Sequence, residues 1–260
     1  MKCDLNGKVS LVTGAARGIG QAIADRFSAN GSQVYYTDVD EAGPKAAAAR
    51  SPKARGLRMD VTKSEEISSV ISRIVAESGR LDIVVNNAGI NTITNRVSID
   101  EYRRDDWDRI LAVDLTGVFE VSKAAAQVMR KQGSGRIINI ASIAGLVPLR
   151  LQSAFIAAKA GVVNLTRGMA LELGPHGILV NGIAPGSTLT EGTRQLFYGE
   201  GGVFHHAVQR MLDHVPLGRP GTVEEIAVAA LFLADPENSY MNGHILVVDG
   251  GWTAGYTRDF

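Results

Sequence analysis

Ser142, position 155 and Lys159 are the residues whose types and spacing could do proton chemistry. A short apolar run, Arg136 to Ala141, reads as a strand that delivers Ser142, and a helix follows it. Residues four apart on a helix are neighbours, so a titratable group at 155 would sit beside the Lys159 ammonium and face the Ser142 hydroxyl. Such an arrangement would be a proton-transfer site. Position 155 is Phe, which has no proton to give.

The elements that must hold these residues alternate. Val9–Val12, Gln33–Thr37, Leu57–Met59, Leu81–Val85, Arg136–Ala141, Leu179–Ala184 and Ile245–Val248 are apolar, β-branched runs that read as strands. Helical periodicity fills the intervals at Ile19–Ala29, Pro44–Ala49, a stretch carrying Ile67 to Val75, a long helix from about Asp106 to Met129, 154–173 and Val223–Leu233. Thr62 and Glu65 read as a capping box for the helix carrying Ile67. Trp107, Val118 and Phe119 read as core of the long helix. Strands separated by helices predict an α/β fold: a doubly wound, Rossmann-type parallel sheet of about seven strands with helices on both faces. The 260 residues read as one domain, since no linker composition divides them.

Ligands of such sheets bind beyond the C-terminal strand ends. The first of these ends carries Thr13-Gly14-Ala15-Ala16-Arg17-Gly18-Ile19-Gly20. Glycines there let the backbone approach a pyrophosphate, and the helix that starts there offers unpaired N–H groups to it. Asp38 ends the second strand, where a carboxylate binds the adenosine ribose hydroxyls and repels a 2′-phosphate. Arg17 pulls the other way, because a guanidinium pairs with that phosphate. The balance predicts NAD in preference to NADP. Asp60-Val61 and Asn86-Asn87-Ala88-Gly89 complete a rim of small and amide side chains.

Charge and composition exclude several classes. Lys and Arg number 27 against 27 Asp and Glu, so nothing favours nucleic acid or an anionic membrane as partner. A single cysteine, Cys3, allows no internal disulfide. No apolar run approaches the roughly 18 residues of a membrane span, and the N-terminus lacks a signal-peptide core, which predicts a cytoplasmic protein. The five histidines show no metal-ligand spacing, so no metal site is expected.

Taken together, Thr13 to Gly20, Asn86-Asn87-Ala88-Gly89, Ser142 thirteen residues before position 155, Lys159, Pro185-Gly186 and the ending Val248-Asp249-Gly250-Gly251 resemble the short-chain dehydrogenase/reductase family over essentially the whole length. The resemblance implies hydride transfer between NAD(P) and a secondary alcohol or carbonyl, by a protein that is usually a homotetramer. It places Asp60 at the adenine and Asn87 at the ribose region. Lys159 would lie at the nicotinamide ribose, with Pro185, Gly186 and Thr190 bordering the nicotinamide. The family's catalytic positions are Asn, Ser, Tyr and Lys. Here they are Asp114, Ser142, Phe155 and Lys159, so two match and two depart.

The loss of the phenol predicts strongly reduced turnover with cofactor binding largely kept, as in a working enzyme silenced by one small change. A dinucleotide-binding sensor or scaffold without catalysis is the alternative. Residues 187–214 are too long for an ordinary loop and read as a substrate lid around Gly199–Gly202. Candidate substrate contacts are Ser142, Asn91, Gln152, Phe155 and Glu191, with Arg150, Ser153, His205 and His206 nearby. Their polarity predicts a polyol or sugar, to which the ending Gly251–Tyr256 lends a weaker resemblance. The small-residue faces Ala124–Ala126 and Ala157-Ala158 read as a subunit interface.

Overall fold

The computed structural model describes residues 3–91, 96–190, 193 and 206–255, the side chains of His206 and Ala207 excepted. Seven strands form one parallel sheet, in the order β3-β2-β1-β4-β5-β6-β9. They are β1 (Val9–Thr13), β2 (Gln33–Asp38), β3 (Ala54–Arg58), β4 (Ile83–Asn86), β5 (Gly135–Ile140), β6 (Ile178–Pro185) and β9 (Ile245–Val248). Two two-residue strands, β7 (Thr188–Leu189) and β8 (Gly221–Thr222), pair separately. The helices are α1 (Gly18–Ala29), α2 (Ala42–Ala48), α3 (Ser64–Ser78), α4 (Arg104–Leu111), α5 (Gly117–Gln132), α6 (Ser153–Leu173), α7 (His206–Leu212) and α8 (Val223–Ala234).

The seven predicted strands and the two helical layers are present, with boundaries shifted by a few residues. One layer packs Ile23, Phe27, Ile226 and Leu231 of α1 and α8 against one face of the sheet. The other packs Val70, Ile74, Val121, Met129 and Met169 of α3, α5 and α6 against the opposite face. Central strands therefore read as continuous apolar runs, since both their faces are covered. No helix among the described residues is long and apolar enough to cross a membrane.

The chain order reverses between β1 and β4. A crevice opens at such a switch point, beyond the strand ends. Asp38, Asn86 and Pro185 all lie at C-terminal ends of strands, and Thr13 is the last residue of β1.

Four expectations need correction. The helix expected from Asp106 to Met129 runs from Arg104 to Gln132, but a π-helical turn, Ala112–Thr116, divides it. Such turns concentrate at functional sites, and this one carries the fully buried Asp114. Thr62 and Glu65 do not cap α3. Its N-cap is Lys63, and the Thr62 hydroxyl donates instead to Asp60 Oδ1 at 2.8 Å, because that carboxylate is the stronger acceptor within reach. The capping box belongs to α8, where the Thr222 hydroxyl accepts from Glu225 N and Glu225 accepts from Thr222 N.

Val118 is core and Trp107 is partly buried, but Phe119 is 43% exposed under the Lys123 ammonium, which lies 5.6 Å from its ring centroid. On a helix, 118 and 119 point about 100° apart, so both cannot face the same layer. Ala125, Ala126 and Ala158 are buried within the chain's own core, which leaves Ala124 and Ala157 as the partly exposed members of the expected interface.

Candidate functional site

The glycine loop is built by its own sequence. Gly14 and Gly18 have φ of +62° and +61°, a region that L side chains avoid. A Cβ on Gly20 would collide with Gly14 O and Asn87 Nδ2, so the start of α1 presses directly on β1 and β4. Gly18 is different, since a Cβ there would meet only Thr190, at 3.6 Å.

The back of this loop is clamped by residues from β4's end. Asn87 Nδ2 donates to Thr13 O at 2.9 Å and to Gly14 O at 3.0 Å, while the Thr13 hydroxyl accepts from Asn87 N and Ala88 N at 3.0 Å. The Asn87 amide donors are thus committed to the loop. The Thr13 hydroxyl went unremarked in sequence; its signal was its place as the last strand residue before the first glycine.

The first turn of α1 has no acidic side chain, and Arg17 at its N-cap makes no side-chain capping bond. Unpaired N–H groups at that terminus suit a pyrophosphate. Asp38 Oδ2 accepts from Ala16 N at 3.2 Å, which ties β2's end to the loop. Arg17 is exposed beside it. Asp60 accepts from Thr62 N at 2.9 Å as well as from the hydroxyl. Burial pushes the Asp60 carboxyl upward, but the two Thr62 bonds with the Lys63 and Arg58 charges hold it below the usual range. Val61 turns its side chain into the core, where it lies against Gly117. These residues fit a dinucleotide: a glycine turn with positive φ, a helix N-terminus without an acidic side chain, and a carboxylate at the strand end.

At the end of β6, Gly186 N donates to Val248 O at 2.9 Å. Thr190 and Thr193 bond reciprocally through backbone N–H and hydroxyl groups. Pro185, Gly186 and Thr190 therefore form a fixed corner, with Thr190 packed against Gly18.

Ser142 leaves β5 in extended conformation and its Oγ accepts from Ala144 N at 3.1 Å, capping a short 3₁₀ turn, Ile143–Gly145. That leaves the hydroxyl proton available. A Cβ on Gly145 would come within 2.6 Å of the Lys159 carbonyl group, so the turn lies flat on α6. Leu151, just before α6, holds φ +63°, a strained value for leucine that costs of order 1 kcal/mol or more.

Lys159 is 5% exposed, and its Nζ donates to Ile140 O at 3.1 Å. The same Nζ lies 3.1 Å from Asp114 Oδ2, with side-chain exposures of 6% and 0%. Oδ2 makes no aligned hydrogen bond among the described residues, so this contact is one of charge. Asp114 Oδ1 accepts from Ile90 N at 2.8 Å. The Phe155 ring stands one helical turn from Lys159, its centroid 5.7 Å from Nζ. Phe155, Lys159 and Asp114 thus gather around one centre, with Ser142 on the turn that lies against α6, and the ammonium is held by a carbonyl, a carboxylate and an aromatic face.

The substrate candidates separate. Gln152 is 4% exposed at the start of α6, whereas Asn91 and Arg150 are exposed. Glu191, His205, the side chain of His206, the glycine run Gly199–Gly202 and Tyr256 fall outside the described residues, as does most of the expected lid. Among the described residues no cluster of His, Cys, Asp and Glu could hold a metal ion.

Comparison with known proteins extends this geometry. A family model described as enoyl-(acyl carrier protein) reductase matches residues 14–253. The 3-oxoacyl-(acyl-carrier-protein) reductase FabG of Vibrio cholerae is 40% identical over 251 residues, covering 95% of this chain and 98% of that protein. The short-chain reductase protein NovJ of Streptomyces niveus is 39% identical over 247 residues, covering 94% and 93%. The crystal structure of gox2181 superposes with a TM-score of 0.90 at 33% identity, over 98% of both chains. The likeness runs from the glycine loop to the closing Gly250-Gly251 turn and spans relatives almost end to end, and on it the chain belongs to the short-chain dehydrogenase/reductase family.

Proposed function

We propose that this chain binds a nicotinamide dinucleotide and acts on a secondary alcohol or carbonyl, with turnover held low by Phe155. The observation that carries this reading is the Lys159 ammonium, fixed one helical turn from a phenyl ring where a phenol would transfer the proton. When bound, the dinucleotide supplies or accepts the hydride. The glycine loop and Thr190 hold its length, Lys159 meets its ribose, and the Ser142 proton meets the substrate oxygen. No side chain at 155 can exchange a proton with that oxygen. General acid-base catalysis is worth roughly 10²–10⁴-fold, which sets the size of the deficit.

NAD is the favoured dinucleotide, supported by the Asp38 carboxylate at the end of β2 and its bond from Ala16 N. Within the carbonyl class, the exposed side chains between Ser142 and Phe155 include Leu146, Val147 and Leu151. They favour a carbonyl carrying an apolar arm, as in a 3-oxoacyl group. A polyol or sugar is the second reading, supported by Asn91 and Arg150. Association into a homotetramer is part of the proposal, supported by the outward Phe119 of α5 and Leu171 of α6.

Fluorescence titration with NADH and NADPH, then turnover of this chain and of Phe155→Tyr on matched oxoacyl and polyol substrates, tests the reading. NADH binding to both, with turnover rising tenfold or more in the variant, is the expected result. Binding without any gain of turnover would favour a dinucleotide sensor, and loss of NADH binding would remove the proposal.

A further inference from the structure

We infer that Asp114 is a positioning residue that cancels the Lys159 charge, so that Asp114 and Phe155 are linked departures and a phenol at 155 recovers only part of its turnover until Asp114 is also changed. The inference rests on the proposal that position 155 is where the proton would move. Lys159 can lower the pKa of a neighbouring phenol only through its net positive field. At the effective dielectric of protein interiors, a full unit charge about 6 Å away moves a pKa by roughly two pH units. Here the ammonium has a carboxylate 3.1 Å away, itself fully buried and so barely screened by water. What position 155 feels is then the difference between a positive and a negative charge.

Among the described residues, the elements packed around Lys159 offer no second cation to restore that field. On α4, which packs on α6, Arg104 pairs with Asp108 at 2.8 Å and Arg109 with Asp106 at 3.5 Å. On the neighbouring α5, Lys123 lies over Phe119 and Glu120 is partly exposed. Among the described residues, β5 and the loop after β4 contribute the Ile140 carbonyl and the Ile90 N–H. An asparagine at 114 keeps an acceptor for Ile90 N and removes the negative charge. A chain that carries Phe155 loses nothing by keeping the carboxylate, because no phenol needs the field.

The test needs no cofactor. The ultraviolet difference spectrum between each Phe155→Tyr protein and its Phe155 parent reports ionisation of the one added phenol. In Phe155→Tyr alone it should titrate at or above the ordinary tyrosine pKa of about 10. In Asp114→Asn/Phe155→Tyr it should ionise at least one pH unit lower, and the double variant should turn over about tenfold faster than Phe155→Tyr. Equal titration of the two proteins would overturn the inference. Should Asp114→Asn unfold, Asp114→Ser offers the same comparison, and a phenol in Phe155→Tyr alone ionising well below the ordinary value would overturn it unaided. Failure of dinucleotide binding would strike the proposed function and leave these titrations unaffected.

Discussion

Thr13 and Asn87 lock one another: the Asn87 N–H donates to the Thr13 hydroxyl at 3.0 Å, and the Asn87 side-chain amide donates to the Thr13 carbonyl at 2.9 Å. The same amide reaches Gly14 O, so one side chain fixes the first turn of the dinucleotide loop. Asn87→Ala leaves two carbonyls short of a donor, at a cost of about 1–3 kcal/mol. Urea unfolding should show that loss. NADH affinity should fall by about tenfold, because a loosened loop must be ordered again on binding.

Gly18 and Gly20 differ in what surrounds them, and alanine should separate loop strain from packing. At Gly20 a Cβ runs into Gly14 O and Asn87 Nδ2, with backbone on one side that cannot move aside. Gly20→Ala should destabilise the fold by several kcal/mol, or prevent soluble expression. At Gly18 there is room, and only the positive φ resists, by about 1–2 kcal/mol. Gly18→Ala should therefore fold with a modest fall in Tm but bind NADH poorly, since its methyl group occupies the face between the loop and Thr190.

Lys159 and Asp114 are both buried, so removing either partner exposes the other's desolvation cost. Lys159→Met leaves the Asp114 carboxylate with the Ile90 N–H as its one donor among the described residues and strips the Ile140 carbonyl of its bond. The expected loss is about 3–5 kcal/mol by chemical denaturation. Asp114→Asn retains an acceptor and the shape of the side chain, and should lose less. If Lys159→Met were as stable as the parent, the pair would contribute nothing net to the fold.

Much of this was legible in sequence because it depends on order along the chain. Strand runs, the Gly14-to-Gly20 turn and the i, i+4 pair at 155 and 159 are local patterns, and the sheet places strand-end residues together by rule. What was not legible depends on closure in space. Asp114 and Lys159 are 45 positions apart, and their contact follows from the π-turn at Ala112–Thr116, which no periodicity announces. Thr62 and Glu65 had the spacing of a capping box, yet Asp60 captured the hydroxyl. Thr222 and Glu225 had the same spacing and kept it, since Arg219 orients the glutamate. Phe119 faces away from the core, and hydrophobicity alone does not say which side of a helix faces the sheet.

The Thr222–Glu225 box makes α8 a site of acid sensitivity. Glu225 accepts from the Arg219 guanidinium at 2.6 and 3.0 Å and from Thr222 N at 2.8 Å. The Arg219 bond, with that of Thr222 N, holds its carboxyl down to about 2 in the folded chain, against an ordinary value of 4.5. A carboxyl lowered on folding binds fewer protons folded than unfolded, so its contribution is fully present above about 4.5 and is lost as the pH falls through about 2. Because the pair is half-exposed, the contribution is screened and modest. Stability measured by urea unfolding from pH 6 down to about pH 2 should fall less steeply in Glu225→Gln than in the parent over that window. The variant should also start lower at pH 6, since it loses the charge toward Arg219 and weakens the cap. Thr222→Ala should cost about 0.5–2 kcal/mol at neutral pH through loss of the cap, and it should leave much of the acid slope in place, because the Arg219 bond to Glu225 remains. A parent and a Glu225→Gln variant with parallel acid profiles would show that the carboxyl is not depressed by the fold.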